Sequence, residues 1–334
     1  MKISVLIPVR NEELSIRALL ESLRNQTLKP AEVVITDGGS RDATPEIISE
    51  FVKRGDPIRL LREAAALPGR GRNLAAAQSA NEWIAFIDAG ITPEPDWLES
   101  LGQRTQTLDG DEVAVVYGTY EPVTDSLFKL CAVMAYVAPP YEVEGRLIRP
   151  CSVASALMKR SVWEAVGGFP EHLRSAEDLL FMRKIERGGF KIVRAPKALV
   201  HWQVEPSASA TFKRFVRYAR SNMRAGLWSE WQAPLFKRYG MLLLSSLPAV
   251  VFGSRWFLVT LVLWLMLLAA RTVVTLRRNH ARYPAGAWEN FRRGLVLAPL
   301  LALLDLATLL GTLQWLFTDA LKAETAGERV ADGE

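Results

Sequence analysis

Cysteine is scarce in this chain: 334 residues hold two, Cys131 and Cys151. Neither has metal-site or thiol-redox spacing, which excludes a disulfide-stapled scaffold or a zinc module and leaves both as buried small apolar residues. The opening residues also do not read as a secretory leader. The apolar stretch at 3–9 is too short for an h-region, and Pro8 and the polar Arg10-Asn11-Glu12-Glu13 end it with no small-residue cleavage site. The first part of the chain is therefore expected in the cytosol. Internal repeats and low-complexity tracts are absent too, so solenoids and disordered linkers are set aside. Long hydrophobic runs are lacking only until about residue 239.

Up to about residue 205 the text reads as alternating strands and helices, an α/β domain. Ile3–Val9 is continuously apolar, as a strand buried on both faces should be. Asn11 is expected to cap a helix carrying Leu14, Ala18, Leu19 and Leu23. A strand at 32–36 leads to Asp37-Gly38-Gly39-Ser40, and Thr44 with Pro45 opens the next helix. Strands follow at 58–61 and 83–87, with a helix at 73–79 between them, and another strand at 113–117. The region 121–149 reads as irregular. Ser161-x-x-Glu164 has the form of a capping box, closed by Gly167-Gly168. A helix from about Ala176 to Arg187 and a strand at 191–194 complete this part. In such open sheets ligands sit beyond the carboxyl ends of the strands, where Asp37 and Asp88 both fall.

The net charge of +5 is unevenly spread. Between Phe212 and Arg238 stand seven basic residues and one acid, Glu230, beside apolar residues at helical spacing. That pattern describes a basic amphipathic helix at a membrane surface, with a solvated basic face as the plain alternative. Apolar runs follow at 241–251, 256–270 and 295–317. The expected division is 1–205, an α/β domain; 206–239, an interfacial helix or linker; 240–320, two or three membrane helices; and 321–334, a polar tail. The arginine-rich stretch 271–293 belongs on the cytoplasmic side. The run 241–270 is short for two spans of ~20 residues, so a short hairpin and an interfacial helix plus one span both remain open. Asp305, inside an apolar run, requires a partner or a protein-facing position.

Six segments carry a resemblance: IPVRNE, ITDGGSRDAT, GRGRN, FIDAG, GGFPEHLRSAED and HW, in that order. Together they resemble the family 2 glycosyltransferases with a GT-A fold, a nucleotide-sugar transferase domain with a Rossmann-like mixed sheet. The resemblance covers roughly residues 1–205. It implies an inverting transferase of cell-envelope glycan synthesis, held at the inner (cytoplasmic) membrane with its catalytic domain cytosolic. A noncatalytic scaffold or sugar-nucleotide sensor on the same fold is the alternative. No Gln-x-x-Arg-Trp segment is present, which favours single-sugar transfer over polymer extrusion.

The same resemblance assigns candidate residues. Asp178, beside Glu177, is the expected general base, although two acids in a helix's first turn also suit the dipole. Pro8, Glu12, Asp37, Arg70, Arg72 and Asp88 are expected on the donor, a nucleoside-diphosphate sugar, with Asp37 on the base or ribose. Arg70 and Arg72 are read as a glycine-spaced basic turn before a helix, fit for a diphosphate. A divalent cation, manganese or magnesium, is implied by the family's Asp-x-Asp motif, with Asp88 and His201 as candidate ligands. Gly90 stands where the second Asp is expected, which puts that cation in question. The acceptor is expected to be lipid-linked or a glycolipid, and no nucleic acid is implied.

Overall fold

The protein was analysed as a computed structural model that describes residues 1–106 and 113–320; the polar tail expected at 321–334 lies outside the described residues. The chain forms two compact units. One comprises Met1–Val123 and Pro140–Gln203, the other Thr124–Pro139 and the residues from Val204 onward.

The first unit begins β1 (Ile3–Val9), α1 (Ile16–Arg24), β2 (Glu32–Asp37), α2 (Thr44–Lys53), β3 (Ile58–Arg62), α3 (Pro68–Gln78), β4 (Trp83–Phe86), β5 (Ile91–Pro93), α4 (Trp97–Gly102) and β6 (Val115–Val123). In chain order α5 (Leu127–Tyr136) comes next and belongs to the second unit. The first unit then resumes with β7 (Tyr141–Val143), β8 (Arg146–Ile148), β9 (Ala156–Lys159), α6 (Arg160–Ala165), α7 (Glu177–Arg187) and β10 (Ile192–Gln203).

Among the described residues eight strands form one mixed sheet, ordered β3-β2-β1-β4-β9-β6-β10-β5. β1, β2, β3 and β4 are mutually parallel, β9 runs antiparallel between β4 and β6, and β5 runs antiparallel at the β10 edge. Such a mixed sheet is what the resemblance to a GT-A fold implies. Both faces are covered, because alternate side chains of β1 point opposite ways. Ile3, Val5, Ile7 and Val9 pack with Leu19, Leu23, Phe51 and Trp97, whereas Leu6 joins Ala75, Phe86, Phe169 and Phe181. Parallel pairing sets Val9 against Asp37, so the ends of β1 and β2 open at the same edge.

Several elements differ from the sequence expectation for local reasons. Helix α1 starts at Ile16 rather than after Asn11, which adopts φ 57° and binds the loop after β2 through Arg41 N (2.8 Å); Leu14 is left exposed. Helix α3 starts at Pro68, a residue preorganised for a first helical turn, so Arg70 and Arg72 lie within the helix and not in a turn before it. The Ser161 capping box does not form, because Ser161 already lies inside α6, whose N-cap is Lys159. The stretch 121–149 is ordered: Ser126 caps α5 by accepting from Lys129 N at 3.2 Å, and β7 pairs with β8. β10 continues to Gln203 past a register shift at 194–199, where Pro196 cannot donate to the ladder, so His201 lies within a strand and not after one. Of the two cysteines, Cys131 is buried as expected and Cys151 only partly.

The second unit holds α5, α8 (Ala208–Arg224), α9 (Trp228–Trp231), α10 (Ala233–Leu244), α11 (Pro248–Phe252), α12 (Trp256–Asn279) and α13 (Ala287–Trp315). Cys131 and Met134 of α5 pack against Leu297, Leu300 and Leu304 of α13. Gly311 lets α8 approach α13: a β-carbon there would lie 2.3 Å from Val216 O. Arg220 and Arg224 both reach Asp319, at 2.7 Å, so α8 and the end of the last helix are also tied by charge. Three segments, Ala233–Phe252, Trp256–Asn279 and Ala287–Asp319, are long and apolar enough to cross a membrane.

Candidate active site

The first unit gathers seven of the expected residues at the carboxyl edge of its parallel strands. Asp37 ends β2 and is buried; its Oδ1 accepts from Ser40 N (2.9 Å) and Ser40 Oγ (2.6 Å), which closes the Asp-Gly-Gly-Ser turn. Gly38 is required there, since a β-carbon would lie 2.6 Å from Ala66 O. Pro8, in β1, pairs with Thr36 and faces Gly71 of α3, where an added β-carbon would meet it at 3.2 Å. Glu12 follows β1; its backbone N–H donates to Thr44 Oγ1 (2.7 Å) and its carboxylate accepts from Ser15 Oγ (2.5 Å).

Arg72 is the hub. Its side chain is almost wholly buried and lies with its guanidinium 5.3 Å from the Phe169 ring centre. Nη2 donates to Asp88 Oδ1 at 2.6 Å and Nη1 to Glu177 Oε1 at 2.8 Å. One cation thus links the segment after β4 to the start of α7, a charge-assisted pairing that a low-dielectric surround strengthens. Burial pushes the Glu177 and Asp178 carboxyls up, and the nearby Arg72 guanidinium opposes this in both. For Asp178 the backbone N–H of Leu179 also opposes the rise, while Asp88 adds to it as a like charge. Leu179 N donates to Asp178 Oδ1 at 2.8 Å.

The backbone before the pair is held in an unfavourable shape. Ala176, the N-cap of α7, has φ 70°, a left-handed conformation that residues with a β-carbon rarely adopt and that concentrates at functional sites. The chain upstream of it is tied to α3. Asn73, next to Arg72 on α3, accepts from Phe169 N (2.9 Å) and Trp163 Nε1 (3.0 Å) and donates to Phe169 O (2.9 Å). Gly168, at φ 66°, leaves room for this, since a β-carbon would fall 2.6 Å from Asn73 Oδ1. Phe169 then stacks on Phe181 of α7, with ring centres 3.7 Å apart. Asn73, Trp163 and Phe169 were not among the expected site residues, although GRGRN and GGFP contain two of them.

Two expected residues stand apart from the hub. Arg70 points to the surface, pairing with Glu63 (2.7 Å) and Glu171 (3.0 Å). Adjacent helical positions i and i+2 do not share a face, which separates it from Arg72. His201 lies opposite Thr92 of β5, and its Nε2 is 2.7 Å from Glu94 Oε1.

The described residues do not make a resident cation site. Among the described residues no three His, Cys, Asp or Glu side chains cluster to hold a metal. Asp88 gives one oxygen to Arg72, and Gly90, at φ 80°, has no side-chain oxygen to offer; a β-carbon there would face Glu12 Oε2 at 3.6 Å. A hard cation needs six or more oxygens, so most would have to come from elsewhere.

Two family models match the chain in succession: Glycosyl transferase family 2 over residues 4–164, and Glycosyl transferase family group 2 over residues 148–277. The chain belongs to glycosyl transferase family 2. Among relatives of this family 2 chain, EpsH of Bacillus subtilis is 38% identical over 118 residues, covering 35% of this chain and 33% of EpsH. The O-antigen chain rhamnosyltransferase RfbN of Salmonella typhimurium is 25% identical over 232 residues, 64% of this chain and 70% of RfbN. The chain therefore spans about a third of the first relative's length and 70% of the second's. The mannosyltransferase PcManGT of Pyrobaculum calidifontis, solved with GDP-Man and Mn2+, has the same fold as this family 2 chain. It superposes at TM-score 0.56 and 20% identity over 95% of this chain and 88% of its own.

Proposed function

We propose that this chain is an inverting glycosyltransferase, which moves a sugar from a nucleoside-diphosphate sugar to a lipid-linked acceptor at the cytoplasmic face of the inner membrane. The observation that carries the reading is the Arg72 hub, which gathers Asp88, Glu177 and Asp178 at the edge of the sheet where ligands bind. Asp178 takes the proton from the acceptor hydroxyl as the oxygen attacks the anomeric carbon. The bond from that carbon to the diphosphate breaks on the opposite face, and the nucleoside diphosphate leaves with the electron pair. Glu177 holds Arg72, and through it the position of Asp178 relative to Asp88.

On the donor side, Asp37 receives the base or ribose from a turn already closed by Ser40, with Pro8 and Glu12 lining the same edge. Asp88 meets the ribose, and Arg70, the more exposed of the two arginines, exchanges its surface carboxylates for the diphosphate. PcManGT was solved with Mn2+, which supports a cation arriving with the nucleotide's phosphates, where it would offset leaving-group charge. Gly90 and the pairing of Asp88 with Arg72 leave few protein ligands for such a cation, and Asp88 and His201 are the side chains that would approach it. The lipid-linked acceptor is supported by the covalent continuity of the transferase unit with three membrane-length helices and by the O-antigen chain in the name of RfbN.

The deciding experiment is calorimetric titration of the detergent-solubilised protein with UDP-, GDP- and dTDP-sugars, with and without manganese or magnesium. It is followed by single-turnover transfer to membrane lipid extract. Binding of one donor and transfer with inverted anomeric configuration are expected. Binding without any turnover, to sugar or to water, would instead favour a sugar-nucleotide sensor.

A further inference from the structure

A charged cluster that the transfer reaction does not use lies among the C-terminal helices. Asp305 of α13 is buried in the longest apolar segment. Arg271 of α12 meets it with a two-pronged fork, Nη1 on Oδ2 and Nη2 on Oδ1, the latter at 3.1 Å. Tyr239 Oη of α10 donates to Oδ2 at 2.8 Å, and Arg238 Nη1 reaches Oδ1 at only 3.3 Å. The sequence required a partner for Asp305, and the structure supplies one cation too many. The fork of Arg271 already matches a carboxylate, whereas Arg238, with five N–H donors, makes this one long bond among the described residues.

The surplus charge lies at a consistent depth. At ~1.5 Å per residue, Arg238 is about 8 Å inside Ala233–Phe252 and Arg271 about 12 Å from the end of Trp256–Asn279. Asp305 is about 15 Å beyond Leu295, where α13 turns apolar. With the 280–286 connection, which carries Arg282 and is flanked by Arg277, Arg278, Arg292 and Arg293, on the cytoplasmic side, all three lie below that one face. An unbalanced cation at such a depth is costly, and long basic side chains there reach toward an anion at the interface.

We propose that Arg238, positioned by the Tyr239 and Arg271 bonds to Asp305, holds the phosphate ester of a lipid head group whose chain lies along the apolar helices. The inference rests on the membrane placement proposed above and not on the transfer chemistry. The phosphate can belong to a polyprenyl phosphate or to a bulk anionic phospholipid.

The test is native mass spectrometry of the full chain in detergent with polyprenyl monophosphate, phosphatidylglycerol or unphosphorylated polyprenol. It compares wild type with Arg238→Gln, Arg238→Lys and Tyr239→Phe, each shown to keep its melting temperature. Wild type should retain a phosphate lipid over polyprenol by about tenfold, the worth of one charge-assisted bond. Arg238→Gln should lose that preference, Arg238→Lys should keep most of it, and Tyr239→Phe should weaken it by a few fold. Preference for polyprenyl phosphate identifies the acceptor lipid as the occupant, and equal retention of both identifies the bulk head group. Equal retention of polyprenol, or an unchanged preference in Arg238→Gln, would overturn the site. Vesicle flotation separates the two readings: a wild type that fails to float refutes the membrane placement and the site with it. A protein that floats without phosphate preference refutes the site alone.

Discussion

Arg72 Nη1 lies 2.8 Å from Glu177 Oε1, and both side chains are more than nine-tenths buried. The other arm of the same guanidinium holds the more exposed Asp88, so removing it strands Glu177 in the interior and releases Asp88 toward water. Arg72→Met should therefore destabilise the first unit by about 3–5 kcal/mol, the usual cost of breaking a buried pair from one side. A urea melt followed by tryptophan fluorescence would read the loss. Arg72→Lys should rescue little of it, because an ammonium cannot span two carboxylates as a planar fork does. Wild-type stability in Arg72→Met would show that the hub contributes nothing to folding.

Asp178→Asn keeps the size of the side chain and its hydrogen bond from Leu179 N while removing the base. Transfer should fall by roughly 10²–10⁴ in kcat, and the donor dissociation constant should barely move. Turnover within a few fold of wild type would eliminate Asp178 as the base.

The pH dependence follows from burial. Glu177 and Asp178 are both raised above the ordinary carboxylate range near ~4 by desolvation, and a base must be ionised to act. The acid limb of kcat/KM should lie above that range, as an apparent value belonging to the coupled pair. Since Asp88 raises Asp178, Asp88→Asn should move the limb down. For stability, groups raised in the folded state contribute fully at pH below their unfolded value, and the contribution is lost as pH rises through the raised value. The stability of Asp178→Asn relative to wild type should thus improve with increasing pH.

Much of this site was legible in the sequence because each chemical group sits on a short segment with its own signature. Asp37 and Asp88 follow apolar strands, and the Glu177-Asp178 pair opens a helix, so their common edge was deducible from strand direction. The roles of Arg72 and Asn73 were not. Both act through side-chain contacts made across about a hundred positions of sequence, to Glu177 and to Phe169, and no local pattern encodes a partner so distant. Likewise β9 and β5 enter the sheet antiparallel and short, where the βα alternation carries no signal. Helix α5 was hidden between prolines, because its ten residues have no polar face to give a helical period.

Asp37→Ala removes a carboxylate whose Oδ1 orders Ser40 N and Oγ, so the turn that would receive the nucleoside should loosen with it. Nucleotide affinity should fall by about tenfold, the scale of one or two lost charge-assisted bonds, in a titration with the nucleoside diphosphate alone. Asp37→Asn, which keeps one acceptor oxygen for Ser40, should lose less. Equal and unchanged affinities in both variants would remove Asp37 from the donor site.

In the second unit the approach of α8 to α13 depends on one missing side chain. A β-carbon at Gly311 would lie 2.3 Å from Val216 O and 2.8 Å from Ala219 Cβ, and the first of these is backbone that cannot rotate away. Gly311→Ala must push α8 off α13, straining the Arg220 and Arg224 bonds to Asp319, for a cost of about 1–3 kcal/mol. Gly294→Ala is the control on the same helix, since its β-carbon would meet only Thr272 Cγ2 at 3.8 Å, an ordinary contact. Helix propensity alone favours alanine at both positions. A thermal melt in detergent should therefore lower the midpoint for Gly311→Ala and hold or raise it for Gly294→Ala. The same response from both would mean that α8 does not rest on α13 at this point.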